Sequence, residues 1–109
     1  MKKEELGKRF NNGKLKMSLL LECDDALDGA VRCLMHGEKK YGRNNWKKGL
    51  KYTEIIDSLL RHLNQFMRGQ DVDLESNSEY NHVDAIVVNA LFLSYMFYKR
   101  KDLDDRGAK

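Results

Sequence analysis

Residues 83–98 constrain this chain more than any other stretch, because they are apolar at nearly every position and are broken only by Asp84, Asn89 and Ser94. Such a run folds as a helix that is buried from several directions, since a surface helix needs a polar face. A bilayer span takes about 20 apolar residues, more than this run supplies. The segment therefore belongs in the middle of a helical bundle or at a subunit interface, and it needs partner helices.

Two other segments have helical period. Over 22–36, Cys23, Ala26, Leu27, Ala30, Val31 and Leu34 fall on one stripe. Gly37 is placed to end that helix as a left-handed cap. From Thr53, a plausible N-cap, to about Arg68, the apolar face is Ile55, Ile56, Leu59, Leu60, Leu63, Phe66 and Met67, and Gly69 stops the helix. Proline is absent and no strand alternation appears. The fold expected is all-α, a small helical bundle. Residues 1–12 read as a flexible polar arm anchored only by Leu6 and Phe10. Residues 13–101 read as a single helical domain, and 102–109 as a charged tail that frays.

The net charge of +3 is mild, but its distribution is uneven. Residues 38–51 carry six Lys or Arg against Glu38, whereas 69–85 carry five acids and no Lys or Arg. Cys23 and Cys33 lie ten residues apart. On a helix that is roughly 15 Å, too far for a disulfide, so reduced thiols are expected. Met1-Lys2-Lys3 leads into acids rather than an apolar region. The expectation is a cytoplasmic protein with no membrane partner.

The stretch Gly37 to Trp46 combines cations, amides and two rings between helices. One reading is a solvated loop with Trp46 folded back as a plug. The other is a site where cations take phosphates and a ring stacks on a base. His62 is expected as a packed histidine or a site residue. His82 and Asn89, seven apart, share a helix face. Asp71, Asp73 and Glu75 offer oxygen ligands to Mg²⁺, or form a solvated acidic loop. Zinc spacing, an EF-hand register, a Walker loop and a G-x-S-x-G elbow are all absent from the sequence. Together the basic and acidic segments look like halves of a Mg²⁺–nucleoside triphosphate site.

Four ordered blocks carry a family resemblance: KKYGRNNW at 39–46, DSLLRHL at 57–63, the stretch from Gly69 to Asp73-Leu-Glu75-Ser76, and His82 with Asn89-Ala-Leu-Phe-Leu93. Over about residues 15–97 the chain resembles the phage dATP/dGTP diphosphohydrolase N-terminal domain family, similar to the MazG-like all-α nucleotide pyrophosphohydrolases. The resemblance implies a homo-oligomeric enzyme that splits a purine (deoxy)nucleoside triphosphate into monophosphate and pyrophosphate with Mg²⁺ (or Mn²⁺). Lys40, Arg61 and His62 would act catalytically, and Tyr41, Asn45, Trp46, His82 and Asn89 would bind substrate. Asp57, Asp73 and Glu75 would hold the metal. Asn77 stands where the family usually has glycine, and Ala85 where it often has histidine. The wider superfamily's ExxE motif has no clear counterpart, although Glu54 and Asp57 have the spacing of ExxD. The alternative implied is a catalytically inactive nucleotide-binding or host-interaction module of phage origin. Nucleic acid is not expected as a partner, because the acidic loop opposes it.

Overall fold

The computed structural model describes residues 4–107 and contains four α-helices among them: α1 (Ser18–Leu21), α2 (Asp25–Tyr41), α3 (Tyr52–Met67) and α4 (His82–Lys99). Short 3₁₀ turns cover Asn45–Lys48, Leu74–Ser76 and Lys101–Leu103. The fold is an all-α small bundle, as the periodicity requires. Met1, Lys2 and Lys3 of the expected arm, and residues 108 and 109 of the expected tail, lie outside the described residues.

Helix α4 is the shared partner, packing along α3 and against α2. It begins and ends within one residue of the apolar run. Its start is set by a capping box in which Asp84 and Asn81 bond each other's backbone N–H groups. Ala85, Val88 and Met96 are buried on it. Met96 meets Tyr52 and Ile55 of α3, with Trp46, Leu50, Phe92, Leu93, Tyr95 and Leu103 packed around them. The Tyr52 hydroxyl donates to the Met96 carbonyl at 3.2 Å, so the buried phenol is satisfied. No helix among the described residues is long and apolar enough to cross a membrane.

Helix α2 departs from its sequence reading in register and length. It starts at Asp25, runs through Gly37 and ends at Gly42, whose φ is 92°. Gly29 and Ala30 are buried and Cys33 and Leu34 partly so, whereas Cys23, Ala26 and Val31 are exposed. The buried face is turned because Gly29 lets α2 approach α4 closely. A Cβ there would sit 1.9 Å from Asp84 Oδ1. The helix continues past Gly37 because the next turn is held from outside. His36 Nδ1 and Lys39 Nζ lie 2.8 and 3.0 Å from the two carboxylate oxygens of Glu79. Lys39, Lys40 and Tyr41 are therefore helical rather than part of a loop.

Helix α3 has Lys51, not Thr53, at its N-cap. Thr53 N–H and Oγ1 instead donate to the Asp105 carboxylate at 2.9 and 2.5 Å. The capping acceptor comes from 52 residues downstream, beyond the reach of any local pattern. Over its described residues the tail that supplies it makes local ion pairs, Arg100 with Asp102 and Arg106 with Asp104, and Leu103 packs on the core. At the other end, Leu6 and Phe10 are 78% and 85% exposed and anchor nothing among the described residues.

Residues 71–82 close into a tight loop. Asp73 N–H donates to the Tyr80 carbonyl at 3.1 Å, and His82 N–H to the Asp71 carbonyl at 2.8 Å. Asn77 has φ of 57°. Asparagine tolerates that left-handed conformation better than most residues, so Asn77 suits the turn.

Candidate functional site

A cavity of about 800 Å³ opens between α2, α3, α4 and the segment 42–50. Of the residues singled out in the sequence, Lys40, Tyr41, Asn45, Trp46, His62 and Asn89 line it. The spread of these positions over 40–46, 62 and 89 is closed by α4, which carries Asn89 and Phe92 into the same wall. Lys40 and Arg43 bring positive charge to the wall, Arg43 reaching Glu38 only at 3.9 Å. Tyr41 is 62% exposed, with Lys40 Nζ 5.1 Å from its ring centre. Asn89 Nδ2 donates to the Ala85 carbonyl at 2.9 Å, an i−4 back-bond that leaves its carbonyl oxygen as an acceptor. Trp46 is stacked on Phe92, with centroids 4.6 Å apart, and meets the edge of Tyr95 at 4.8 Å. It lines the cavity as a packed ring joined to the core.

His62, Asp73 and His82 form a compact cluster, each offering one ligand atom within 4.8 Å of the others. His62 Nδ1 lies 2.9 Å from His82 Nδ1 and 3.9 Å from Asp73 Oδ2. Asp73 and His82 are only about 5% exposed. Three elements build the cluster: the middle of α3, the closed loop, and the first residue of α4. Asp73 Oδ1 accepts from Glu75 N–H at 2.9 Å, which leaves Oδ2 turned toward His62. Burial holds the His62 pKa below its ordinary value; Asp73 opposes this, while His82 and Arg61 add to it. The imidazole is thus neutral near pH 7, the form that ligates a metal.

Asp57, Arg61 and Glu75 are brought less close. Asp57 and Arg61 lie on the exposed side of α3, and Arg61 acts on the cluster only through its charge on His62. Glu75 is exposed and contributes its backbone N–H to Asp73. Several neighbours were not legible as site residues. The Cys33 thiol lines the cavity, pushed up to about 12 by burial and then by Asp84 and Asp73, so it is protonated and inert. Tyr80 is raised above the usual phenol range by burial first and then by Asp73. Glu79 is held below the usual carboxylate range by its hydrogen bonds to His36 and then Lys39. No local signal pairs Glu79 with residues 40 and 43 positions upstream; only the net charges of the two segments hinted at it.

Residues 4–106 match the family described as dATP/dGTP diphosphohydrolase, N-terminal. A dATP/dGTP diphosphohydrolase of Salmonella phage PMBT28 is 33% identical over 101 residues, which cover 92% of this chain. The chain spans about a third (33%) of that relative's length. No solved structure matches. With nearly its whole length covered by the match, the chain belongs to the dATP/dGTP diphosphohydrolase N-terminal family.

Proposed function

We propose that this domain is a divalent-metal-dependent (deoxy)nucleoside triphosphate pyrophosphohydrolase of the dATP/dGTP type, releasing pyrophosphate from a purine deoxynucleotide. The observation that carries this reading is the double position of His62, which lines the cationic cavity and belongs to the His–Asp–His cluster. A nucleotide in the cavity would thus have its phosphates beside a cluster that could hold a metal ion. Lys40 and Arg43 neutralise the phosphates, and Arg61 adds a longer-range charge. Tyr41 offers its exposed ring to the base, Asn45 its amide to the base edge, and Asn89 its carbonyl oxygen to a sugar or base donor. Trp46 supports this wall through Phe92. His62, Asp73 and His82 are the ligands this reading assigns, rather than Asp57 and Glu75. When bound, a divalent ion supplies Lewis-acid charge beside the scissile phosphate.

The assembly and location follow the same reading. Leu60, Leu63 and Met67 on α3, and Val83, Val87 and Leu91 on α4, form two apolar stripes left exposed at 37–77%. A second copy of the chain covers them in a homo-oligomer. For a phage-encoded enzyme of free nucleotides, the host cytoplasm is the expected location.

A second reading is favoured by one observation. The chain matches only a third of its relative's length, so the relative's chemistry need not reside in this third. The domain would then bind nucleotide, or a host partner, without turnover. Incubating each (d)NTP with the protein and Mg²⁺ or Mn²⁺, then identifying the phosphate product, separates the two. Pyrophosphate plus monophosphate supports the enzyme, and orthophosphate as first product excludes the reaction class. Nucleotide binding with no turnover in any metal supports the second reading. Lys40→Ala should weaken binding about 10- to 150-fold, the worth of one charge-assisted phosphate contact, with little change in Tm.

A further inference from the structure

The geometry points to a site selective for a transition ion that accepts imidazole nitrogen, of the Mn²⁺, Co²⁺ or Zn²⁺ class, held by His62, Asp73 and His82. On this inference Mg²⁺ reaches the cavity only with the nucleotide's phosphates. The inference rests on the metal site proposed above but not on the reaction.

The donor set is the first argument. Two of the three ligand atoms are imidazole nitrogens and one is a carboxylate oxygen. Mg²⁺ demands oxygen ligands in a near-ideal octahedron and gives up its water reluctantly. First-row transition ions and zinc take imidazole readily. Asp57 and Glu75, whose oxygens would have made a Mg²⁺ site with Asp73, are exposed and outside the cluster.

Spacing is the second argument. The two Nδ1 atoms lie 2.9 Å apart. Two ligands at right angles on an ion with bonds of about 2.1 Å stand about 3.0 Å apart. The whole set lies within 4.8 Å, against about 4.2 Å for ligands on opposite sides of such an ion. A side-chain adjustment of about half an ångström closes the set around one centre.

Preorganisation is the third. Asp73 is fixed through Oδ1 by Glu75 N–H, the kind of supporting hydrogen bond that holds a metal ligand in register. His82 is anchored at its backbone, where its amide N–H donates to the Asp71 carbonyl. Three protein ligands leave coordination positions open, and His62 places the centre at the cavity wall.

The test uses the full chain, stripped with chelator and free of nucleotide. Mn²⁺, Co²⁺, Zn²⁺ and Mg²⁺ are added separately and read by thermal melting and titration calorimetry, with visible absorption for Co²⁺. A transition ion at 100-fold excess over its Kd should raise Tm by about 10 °C or more, while millimolar Mg²⁺ should leave it unmoved. His82→Asn and His62→Gln should each lower Mn²⁺ or Co²⁺ affinity at least about 10-fold. Circular dichroism of the metal-free variants shows which of them folds, and the folded one is decisive. A Mg²⁺ shift equal to the transition-ion shift overturns the inference, as does no shift with any ion, which would leave His62 and His82 a hydrogen-bonded pair. Tight transition-ion binding without turnover sinks the pyrophosphohydrolase reading and leaves this inference standing.

Discussion

Gly29→Ala sets helix propensity against tertiary packing, and the two predict opposite signs. Alanine in a helix interior is favoured over glycine by roughly 1 kcal/mol, so propensity alone predicts a more stable protein. At Gly29, however, the added Cβ would lie 1.9 Å from Asp84 Oδ1 and 2.7 Å from its Cγ. The helices must part or the carboxylate must move. Asp84 is only 7% exposed, and its Oδ2 accepts from Asn81 N–H at 2.8 Å. Moving it forfeits that hydrogen bond, its half of the capping box, worth roughly 1.5–3 kcal/mol. After the propensity gain, a net loss of about 0.5–2 kcal/mol remains, a Tm drop of about 2–16 °C for a domain of this size. Gly37→Ala is the control, because it sits in the same helix with nothing within 4 Å of its Cβ position. It should gain the propensity term and melt higher. Thermal melts by circular dichroism decide the matter. If both variants melt higher, the Asp84 contact does not govern how α2 packs on α4.

Other perturbations follow from particular contacts. Trp46→Ala removes the stack on Phe92 and the edge contact with Tyr95, and should cost roughly 3 kcal/mol as large aromatic truncations do. Urea midpoints at constant m read this out, and a loss under about 1 kcal/mol would show the ring to be dispensable to the core. Val87 is 37% exposed, so Val87→Asp should spare the fold while breaking an assembly that covers α4. Sedimentation of a wild-type monomer at micromolar concentration would instead remove the oligomer from consideration. The His62 pKa is lowered on folding from 6.5, chiefly by burial. Its contribution is complete above the unfolded value and is lost as pH falls through the folded one, because the unfolded chain then binds the extra proton. In chelator, urea midpoints should therefore fall from pH 7.5 to 5.5, and His62→Gln should flatten that slope. An equally steep slope in the variant would place the titrating group elsewhere.

Periodicity determined what one helix can know about itself. The apolar run at 83–98 dictated a central helix, and the stripe at 55–67 dictated its neighbour, because burial of one face repeats every three to four residues whatever lies opposite. Gly69, with φ of 90°, ends α3 where the pattern stops. The order of four short blocks was enough to show the family. Tertiary structure decided whatever depends on a partner distant in the chain. Gly37 looked like a helix stop, yet Glu79 holds the turn beyond it through His36 and Lys39. Thr53 looked like a cap, yet it is itself bonded by Asp105. The same limit applies to the candidate metal centre. Asp73 and His82 belong to one closed loop, but nothing near His62 in the sequence says that the middle of α3 will meet them. A side chain's chemistry is local, whereas the company it keeps depends on how helices pack, and in this chain that depended on a glycine at 29 allowing α2 to come close to α4.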